Sequence, residues 1–185
     1  MLSSRSKLLI VLPLLLPACK YFELVEPEPP ETGQQEVFPD TPDKVLENME
    51  NALDTYYNSL TYSNCLAHDF TFYPDEGLPY PSNQPWGKDT EDEIIANLLL
   101  NLDYGTSQPS DVSFTVLNRV DLPDSAYLRV LYRMSYVFRN VGNVVAEGEA
   151  EVFMRKRMDG RWVVVTWRDR ADTAMTWGEV KLMFK

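Results

Sequence analysis

The segment 125–169 constrains the fold of this chain more than any other part of the sequence. It contains three consecutive runs rich in Val, Tyr, Phe and Trp, separated by the turn residues 140–143 and 158–160. Gly next to Asn or Asp supplies the positive φ that tight hairpins require. The segment therefore predicts an antiparallel meander of three long strands, and such a sheet needs apolar elements packed on one of its faces.

The alternation of side chains predicts which face of this sheet is buried. One face of the first two strands carries Leu128, Val130, Tyr132, Met134, Tyr136, Phe138, Val144, Ala146, Gly148, Ala150, Val152 and Met154, and the other carries Arg129, Arg133, Arg139, Glu147, Glu149 and Glu151. With a three-residue loop we expect Arg133 opposite Glu149, on a solvated face, because such pairs contribute only about 0.2–1 kcal/mol each. The small residues at 148 and 150, opposite bulky tyrosines, favour large–small packing over a hollow.

The N-terminus resembles the signal of a bacterial lipoprotein. A short basic region precedes an apolar run, 8–16, that is too short to span a bilayer. The run ends in Leu16-Pro17-Ala18-Cys19, a small residue directly before Cys, which is similar to a lipobox. The resemblance implies that residues 1–18 are a signal peptide and that Cys19 carries fatty acyl chains such as palmitate. The alternative is an ordinary secretory signal with an incidental Cys.

Residues 19–40 are expected to form the acylated Cys and a disordered tether rich in Pro and Glu. Two or more acyl chains anchor a protein firmly in a membrane. We therefore expect a lipid-anchored protein of the bacterial cell envelope. Lys20 is not the Asp that retains such lipoproteins at the inner membrane in enteric bacteria, which favours the outer membrane.

Charge and composition limit the partners and cofactors. The formal net charge of −11 argues against nucleic acid and anionic lipid surfaces, which both demand basic patches. With Cys19 acylated, Cys65 has no partner for an intramolecular disulfide and is expected to be a small buried hydrophobe. The single histidine and the lack of a Cys cluster predict no metal site, and no Gly-rich phosphate loop suggests a nucleotide cofactor.

Local patterns predict the remaining elements. A helix of about 18 residues is expected to begin at Thr41-Pro42 and to include Tyr56 and Leu60, and it is followed by a short helix at 61–67. A strand at 70–73 and an irregular loop come next. A third helix is expected to open at the capping box at 90–93 and to end at Gly105, and it is followed by a strand at 112–122.

This order of elements resembles the nuclear-transport-factor-2-like fold, which includes SnoaL-like polyketide cyclases and ketosteroid isomerases. The similar segments are 66–72, 87–99 and the closing hairpin formed by 152–155 and 159–162. The resemblance implies an α+β domain at 41–185: a cone-like curved antiparallel sheet with helices on its concave face, also described as a cystatin-like or SnoaL-like roll. Beyond residue 169, we expect Trp177, Val180 and Met183 to dock on the core.

The resemblance also implies where catalytic groups would lie. An isomerase needs a carboxylate base and a hydrogen-bond donor inside the cone. Asp75 is nearest to the position of the base, but the donor position falls near Val152, which cannot donate. A dehydratase would use His68 and Asp69, yet neighbours on a helix point about 100° apart, and the simpler interpretation is a helix end followed by a turn.

The favoured hypothesis is a membrane-anchored envelope lipoprotein whose domain binds a small ligand or another protein without catalysis. The alternative is a lipid-anchored SnoaL-like isomerase, dehydratase or cyclase acting on a small apolar molecule. Tyr56, Tyr73, Tyr132 and Tyr136 are candidates for lining a ligand pocket, although aromatic residues at such spacing are more often core. The partners expected are the membrane, a small apolar ligand or envelope protein, and a second copy of the chain in a homodimer.

Overall fold

The computed structural model describes residues 37–54, 58–171 and 175–185. In this part of the chain the elements are α1 (Pro42–Asp54), α2 (Ser59–Asn64), β1 (Leu66–Tyr73), β2 (Trp86–Gly87), α3 (Lys88–Asn101), β3 (Ser110–Leu122), β4 (Ser125–Phe138), β5 (Gly142–Lys156), β6 (Trp162–Ala171) and α4 (Trp177–Leu182). The signal peptide, Cys19, most of the tether and Tyr56 lie outside the described residues.

The six strands form one curved sheet in the order β2-β1-β6-β5-β4-β3. The predicted meander is confirmed as β4, β5 and β6, which pair antiparallel in sequence order. The sheet is mixed and not wholly antiparallel, because β1 pairs with β6 in parallel. With helices packed on the sheet, this is the predicted α+β cone.

The β4–β5 hairpin has the predicted three-residue loop but a different register. Phe138 pairs with Gly142, so Arg133 lies opposite Glu147 and not Glu149. Arg133 Nε donates to Glu147 Oε1 over 2.8 Å. The predicted pairing was wrong because the loop is residues 139–141 and not 140–142, and this shift of one residue moves each partner on β5 by two positions. The basic and acidic rows still share the exposed face.

Helix boundaries differ from the predictions where strand pairing or burial prevails over local propensity. The predicted helix at 61–67 is α2 at Ser59–Asn64, because residues 66–69 join β1. Helix α3 begins at Lys88 after the N-cap Gly87 and ends at Asn101, so the predicted capping box and the end at Gly105 were wrong. Within α1, the predicted apolar residues Val45, Met49, Ala52 and Leu53 are buried, whereas Leu60 lies in α2 and is exposed.

The core lies on the concave face of the sheet, under α1, α2, α3 and α4. Tyr132 pairs with Gly148, and a β-carbon at position 148 would overlap the Tyr132 hydroxyl and lie 2.8 Å from the carbonyl oxygen of Arg170. The predicted large–small packing is therefore confirmed. Cys65 is buried, as predicted.

The C-terminal segment docks on this core through α4. A capping box opens α4: the Thr176 side chain accepts from the Glu179 N–H, and the Glu179 carboxylate accepts from the Thr176 N–H. Trp177 and Val180 are buried as predicted, but Met183 is exposed.

The chain enters the domain through a clamp on α1. The buried Asn48 side chain donates to the Val37 carbonyl over 2.6 Å and accepts from the Val37 N–H over 3.0 Å. Next to it, the Trp162 N–H donates to the Pro39 carbonyl over 2.7 Å. These bonds fix residues 37–39 to both α1 and β6.

Candidate functional site

Three charged side chains lie inside the cone, where sequence analysis predicted only apolar and aromatic groups. Glu91 from α3, Asp169 from β6 and Lys181 from α4 expose 0%, 2% and 0% of their surface. Together with Tyr62, Trp86 and Tyr132, which bond to them, they form what we call the buried ionic cluster. Charged groups are almost never fully buried unless they are paired, so each partner must be accounted for.

Glu91 is the anionic centre of this cluster. Its Oε1 accepts from the Tyr62 hydroxyl over 2.7 Å, and its Oε2 accepts from Trp86 Nε1 over 2.7 Å. The Lys181 ammonium nitrogen lies 2.6 Å from Oε1 as an ion pair. Burial, reinforced by the Glu91 carboxylate, raises the pKa of Tyr62 well above its usual value, so this phenol stays a donor.

The Lys181 ammonium is also surrounded by aromatic faces. Its nitrogen lies 3.6 Å from the centre of the Phe72 ring and 4.8 Å from that of Trp177. Burial lowers the pKa of Lys181, while the carboxylates of Glu91 and Asp169 act in the opposite direction. A desolvated cation over aromatic rings and beside a carboxylate gains from both contacts.

Asp169 links the sheet to α4. Its Oδ1 accepts from the Tyr132 hydroxyl over 2.6 Å and its Oδ2 accepts from the Gly178 N–H over 2.6 Å. The Tyr132 oxygen in turn accepts from the Trp177 N–H over 3.0 Å. Burial raises the pKa of Asp169, and the hydrogen bonds from Tyr132 and Gly178 oppose that rise. These contacts hold the first turn of α4 against the sheet.

The cone is filled by the chain's own side chains around this cluster. Tyr136 stacks on Trp177 and on Phe138, with ring centres 5.7 and 5.6 Å apart, and Phe138 meets Phe184 at 4.7 Å. Tyr132 and Tyr136 are therefore packed core residues that expose none of their surface. The C-terminal segment therefore contributes side chains to the packed interior of the cone.

Two of the three candidate catalytic residues lie apart from the buried ionic cluster, whereas Asp75 borders the same groove as Asp169. His68 and Asp69 are exposed on β1, so the predicted helix end and turn at this position were wrong. Asp69 accepts from Arg155 Nη2 over 2.8 Å, and this hydrogen bond lowers the pKa of Asp69. Asp75 accepts from the Ala171 N–H over 2.7 Å, in a groove of about 240 Å³ that Asp169 also lines.

The remaining tyrosine candidate that the structure describes, Tyr73, also lies away from the interior. It is half-buried at the end of β1, with the Arg168 guanidinium 4.4 Å from its ring centre. In the described part of the chain, no group of His, Cys, Asp or Glu is arranged to hold a metal ion. Similarly, none of the helices described there is long and apolar enough to cross a membrane.

A second open feature lies on the outer face of the sheet. A groove of about 310 Å³ is lined there in part by Tyr127, Phe153, Arg129 and Arg168. The rings of Tyr127 and Phe153 stack at 4.6 Å. What we call the outer patch extends from this groove across β3 and β4 and consists of four exposed apolar residues, Val120, Leu122, Tyr127 and Leu131.

Two sequence signals could have revealed the buried ionic cluster. Thr176 and Glu179 have the spacing of a capping box, which places Trp177 and Lys181 four residues apart on one face of the helix that follows. Glu91 begins the apolar stripe of α3 at the spacing of Ile94, Ile95 and Leu98. Both signals were overlooked because charged residues are normally assigned to the surface.

Comparison with solved structures identifies the fold. No protein-family model matches the chain, and no curated protein matches it. A solved structure from Kribbella flavida aligns with a TM-score of 0.58 and 9% identity, over 76% of this chain and 93% of that protein. A putative scytalone dehydratase from Novosphingobium aromaticivorans aligns with a TM-score of 0.57 and 10% identity, over 74% and 90%.

A third structure, a protein of unknown function from Mycobacterium tuberculosis, aligns with a TM-score of 0.55 and 17% identity, over 70% of this chain and 69% of that protein. Identities at this level establish architecture and not activity. The chain has the cone-like α+β fold of nuclear-transport-factor-2-like and SnoaL-like proteins.

Proposed function

We propose that this protein is a lipid-anchored envelope lipoprotein whose cone domain binds other proteins and carries out no catalysis. The observation that carries the proposal is the closure of the cone by α4. Trp177 and Lys181, each with no more than 1% of its surface exposed, pack inside the cone and help to fill it. Because the interior is filled, a partner protein would be recognised by the outer surface of the domain.

The enzymatic alternative has less support. One structural neighbour is named as a dehydratase, and Tyr132 with Asp169 is a hydrogen-bonded acid pair inside the cone. However, both oxygens of Asp169 already accept hydrogen bonds, and only 2% of the Asp169 surface is exposed, in the groove that Asp75 also lines. A catalytic base must reach the proton that it abstracts. His68, Asp69 and Asp75 can be reached from solvent but are not brought together around an enclosed pocket.

The proposed membrane anchor rests on the resemblance of residues 16–19 to a lipobox. In cells of the source organism grown with labelled palmitate, we expect the wild-type protein to take up label and the Cys19→Ala variant to take up none, because thioether and amide acylation both need this residue. Cys65→Ala is the matched control and should label like the wild type, since the Cys65 thiol is buried. Equal labelling of wild type and Cys19→Ala would contradict the anchor.

The outer patch is the surface that we propose for protein contact, and a second copy of the chain is the partner that we propose for it. Tyr127 and Val120 expose 53% and 55% of their surface on the same face as the Arg and Glu rows of β4 and β5. A face with rows of both signs can pair with itself about a two-fold axis, because each basic row then meets an acidic row. The exposed apolar residues supply the area that such a contact buries.

Disulfide crosslinking in isolated envelopes tests this contact. We expect Tyr127→Cys to yield a covalent dimer on mild oxidation, because residues near the two-fold axis of a symmetric interface approach their own copies. Met158→Cys, at a fully exposed turn on the β5–β6 hairpin, is the matched control and should crosslink at least five-fold less. With Cys65 buried, the introduced thiol is the reactive one within the described domain. Similar yields from both variants would refute a contact through the outer patch.

A further inference from the structure

The surroundings of the Lys181 ammonium have the composition of a ligand site. Glu91 lies 2.6 Å away, the face of Phe72 lies 3.6 Å away, and Trp177 closes another side. We propose that the cone contains a binding site for a primary alkylammonium group and that Lys181 is its internal occupant. This inference goes beyond the proposed function and does not depend on it.

The groups that hold the Glu91 carboxylate in place do not belong to α4. Glu91 is held by Tyr62 and Trp86, which come from α2 and β2, and Phe72 comes from β1. Phe72 and Trp86 also stack on each other, with ring centres 4.6 Å apart. The carboxylate and its aromatic neighbours would thus stay oriented if Lys181 lost its ammonium. Such preorganisation reduces the cost of binding a replacement.

The charge balance of the site demands a cation. Within the described residues, Glu91 and Asp169 place two buried carboxylates beside one buried ammonium. Removing the cation leaves buried negative charge without compensation, which is strongly unfavourable. An ammonium is favoured over a quaternary amine because Glu91 can accept an N–H hydrogen bond, and a quaternary amine has none to give.

The occupant is carried on an element that can be displaced. Helix α4 has six residues, too few for a helix that is stable by itself in water. Its docking depends on Lys181, on the Trp177 and Gly178 N–H groups, and on a bond from Asn97 to the Phe184 carbonyl. An external alkylammonium that satisfies Glu91 therefore competes with Lys181, and the C-terminal segment acts as an internal ligand.

Chemical rescue of the full chain carrying Lys181→Ala tests the site. The probe is propylammonium, which has the atoms that the substitution removes. We expect it to raise the unfolding temperature of the variant by about 3–6 °C at ten times its dissociation constant. n-Propanol and tetramethylammonium, at the same concentration and ionic strength, should raise it by less than about 1 °C, because neither supplies both the charge and the N–H donors.

Two controls separate recognition from general effects. Wild-type protein should not be stabilised by propylammonium, since Lys181 already fills the site, and Lys181→Ala combined with Glu91→Gln should lose the response. An equal rise in the unfolding temperature of Lys181→Ala with n-propanol would show that the site is only an apolar cavity, and it would overturn the proposal. A rise of the same size in the wild type would overturn it as well.

If Lys181→Ala does not fold, the wild-type protein decides the question. Chymotrypsin can cut after Trp177 only when α4 leaves the core, because this residue is 1% exposed. We expect propylammonium to accelerate that cut at least three-fold over tetramethylammonium at equal ionic strength. Equal rates of cleavage would show that the ammonium site does not exchange its occupant, and the proposal would fall.

Discussion

Replacing Lys181 with methionine is expected to lower the free energy of unfolding by about 3–5 kcal/mol, the cost of breaking a buried ion pair by removing one partner. Methionine keeps much of the volume and apolar length of the side chain, so little of the loss comes from a cavity. The main cost is the Glu91 carboxylate, which keeps its bonds from Tyr62 and Trp86 but loses its counter-ion. Urea unfolding followed by circular dichroism measures the change.

A double variant identifies the source of this loss. Lys181→Met with Glu91→Gln removes both charges, so it should recover at least half of the stability lost by the single variant. Lys44→Met is the matched control: the Lys44 ammonium pairs with Asp40 at 2.8 Å on the surface, and its removal should cost less than about 1 kcal/mol. A Lys181→Met loss as small as that of the control would contradict the buried ion pair.

Gly148→Ala is expected to destabilise the protein by about 3 kcal/mol, at the upper end of what overpacking costs. The new β-carbon would overlap the Tyr132 hydroxyl and lie 2.8 Å from the Arg170 carbonyl oxygen, which belongs to the backbone of β6 and cannot rotate away. Either the Tyr132 ring leaves its bond to Asp169 or the β5–β6 pairing opens. Thermal and urea unfolding both measure the effect.

Gly87→Ala supplies the control for this substitution. A β-carbon at position 87 would lie 3.7 Å from the Phe70 carbonyl oxygen, which is an ordinary contact, so we expect a change within about 1 kcal/mol. If Gly148→Ala were as mild as Gly87→Ala, Tyr132 could not lie over Gly148 as described. The packing of the concave face would then have to differ from the one that places Asp169 beside Tyr132.

The sequence patterns that predicted the sheet correctly are local ones. Strict alternation and turn glycines predicted the strand that is β4 (Ser125–Phe138) and two hairpins, because a period of two and a positive φ are set by neighbouring residues. The parallel pairing of β1 with β6 and the two-residue strand β2 were missed. Both depend on residues far apart in the chain, and neither leaves a periodic signal.

The candidate site was harder to predict than the fold. The sequence pointed to His68 and Asp69, which are exposed on β1, and to Asp75 in the loop after it, whereas the buried charges are Glu91, Asp169 and Lys181. A charged residue is expected to face solvent unless the sequence pattern also predicts a partner for it. The three charged residues of the cluster come from α3, β6 and α4, so no local pattern pairs them. The pairing that keeps them buried arises only when the cone closes.

The clamp formed by Asn48 and Val37 determines how the domain can be loaded mechanically. Tension that arrives along the chain before residue 37 is divided between α1, through the two Asn48 bonds, and β6, through the Trp162–Pro39 bond. Force applied at that end is therefore carried jointly by a helix and by an inner strand of the sheet. The length of the preceding segment can therefore change without altering the geometry of the core.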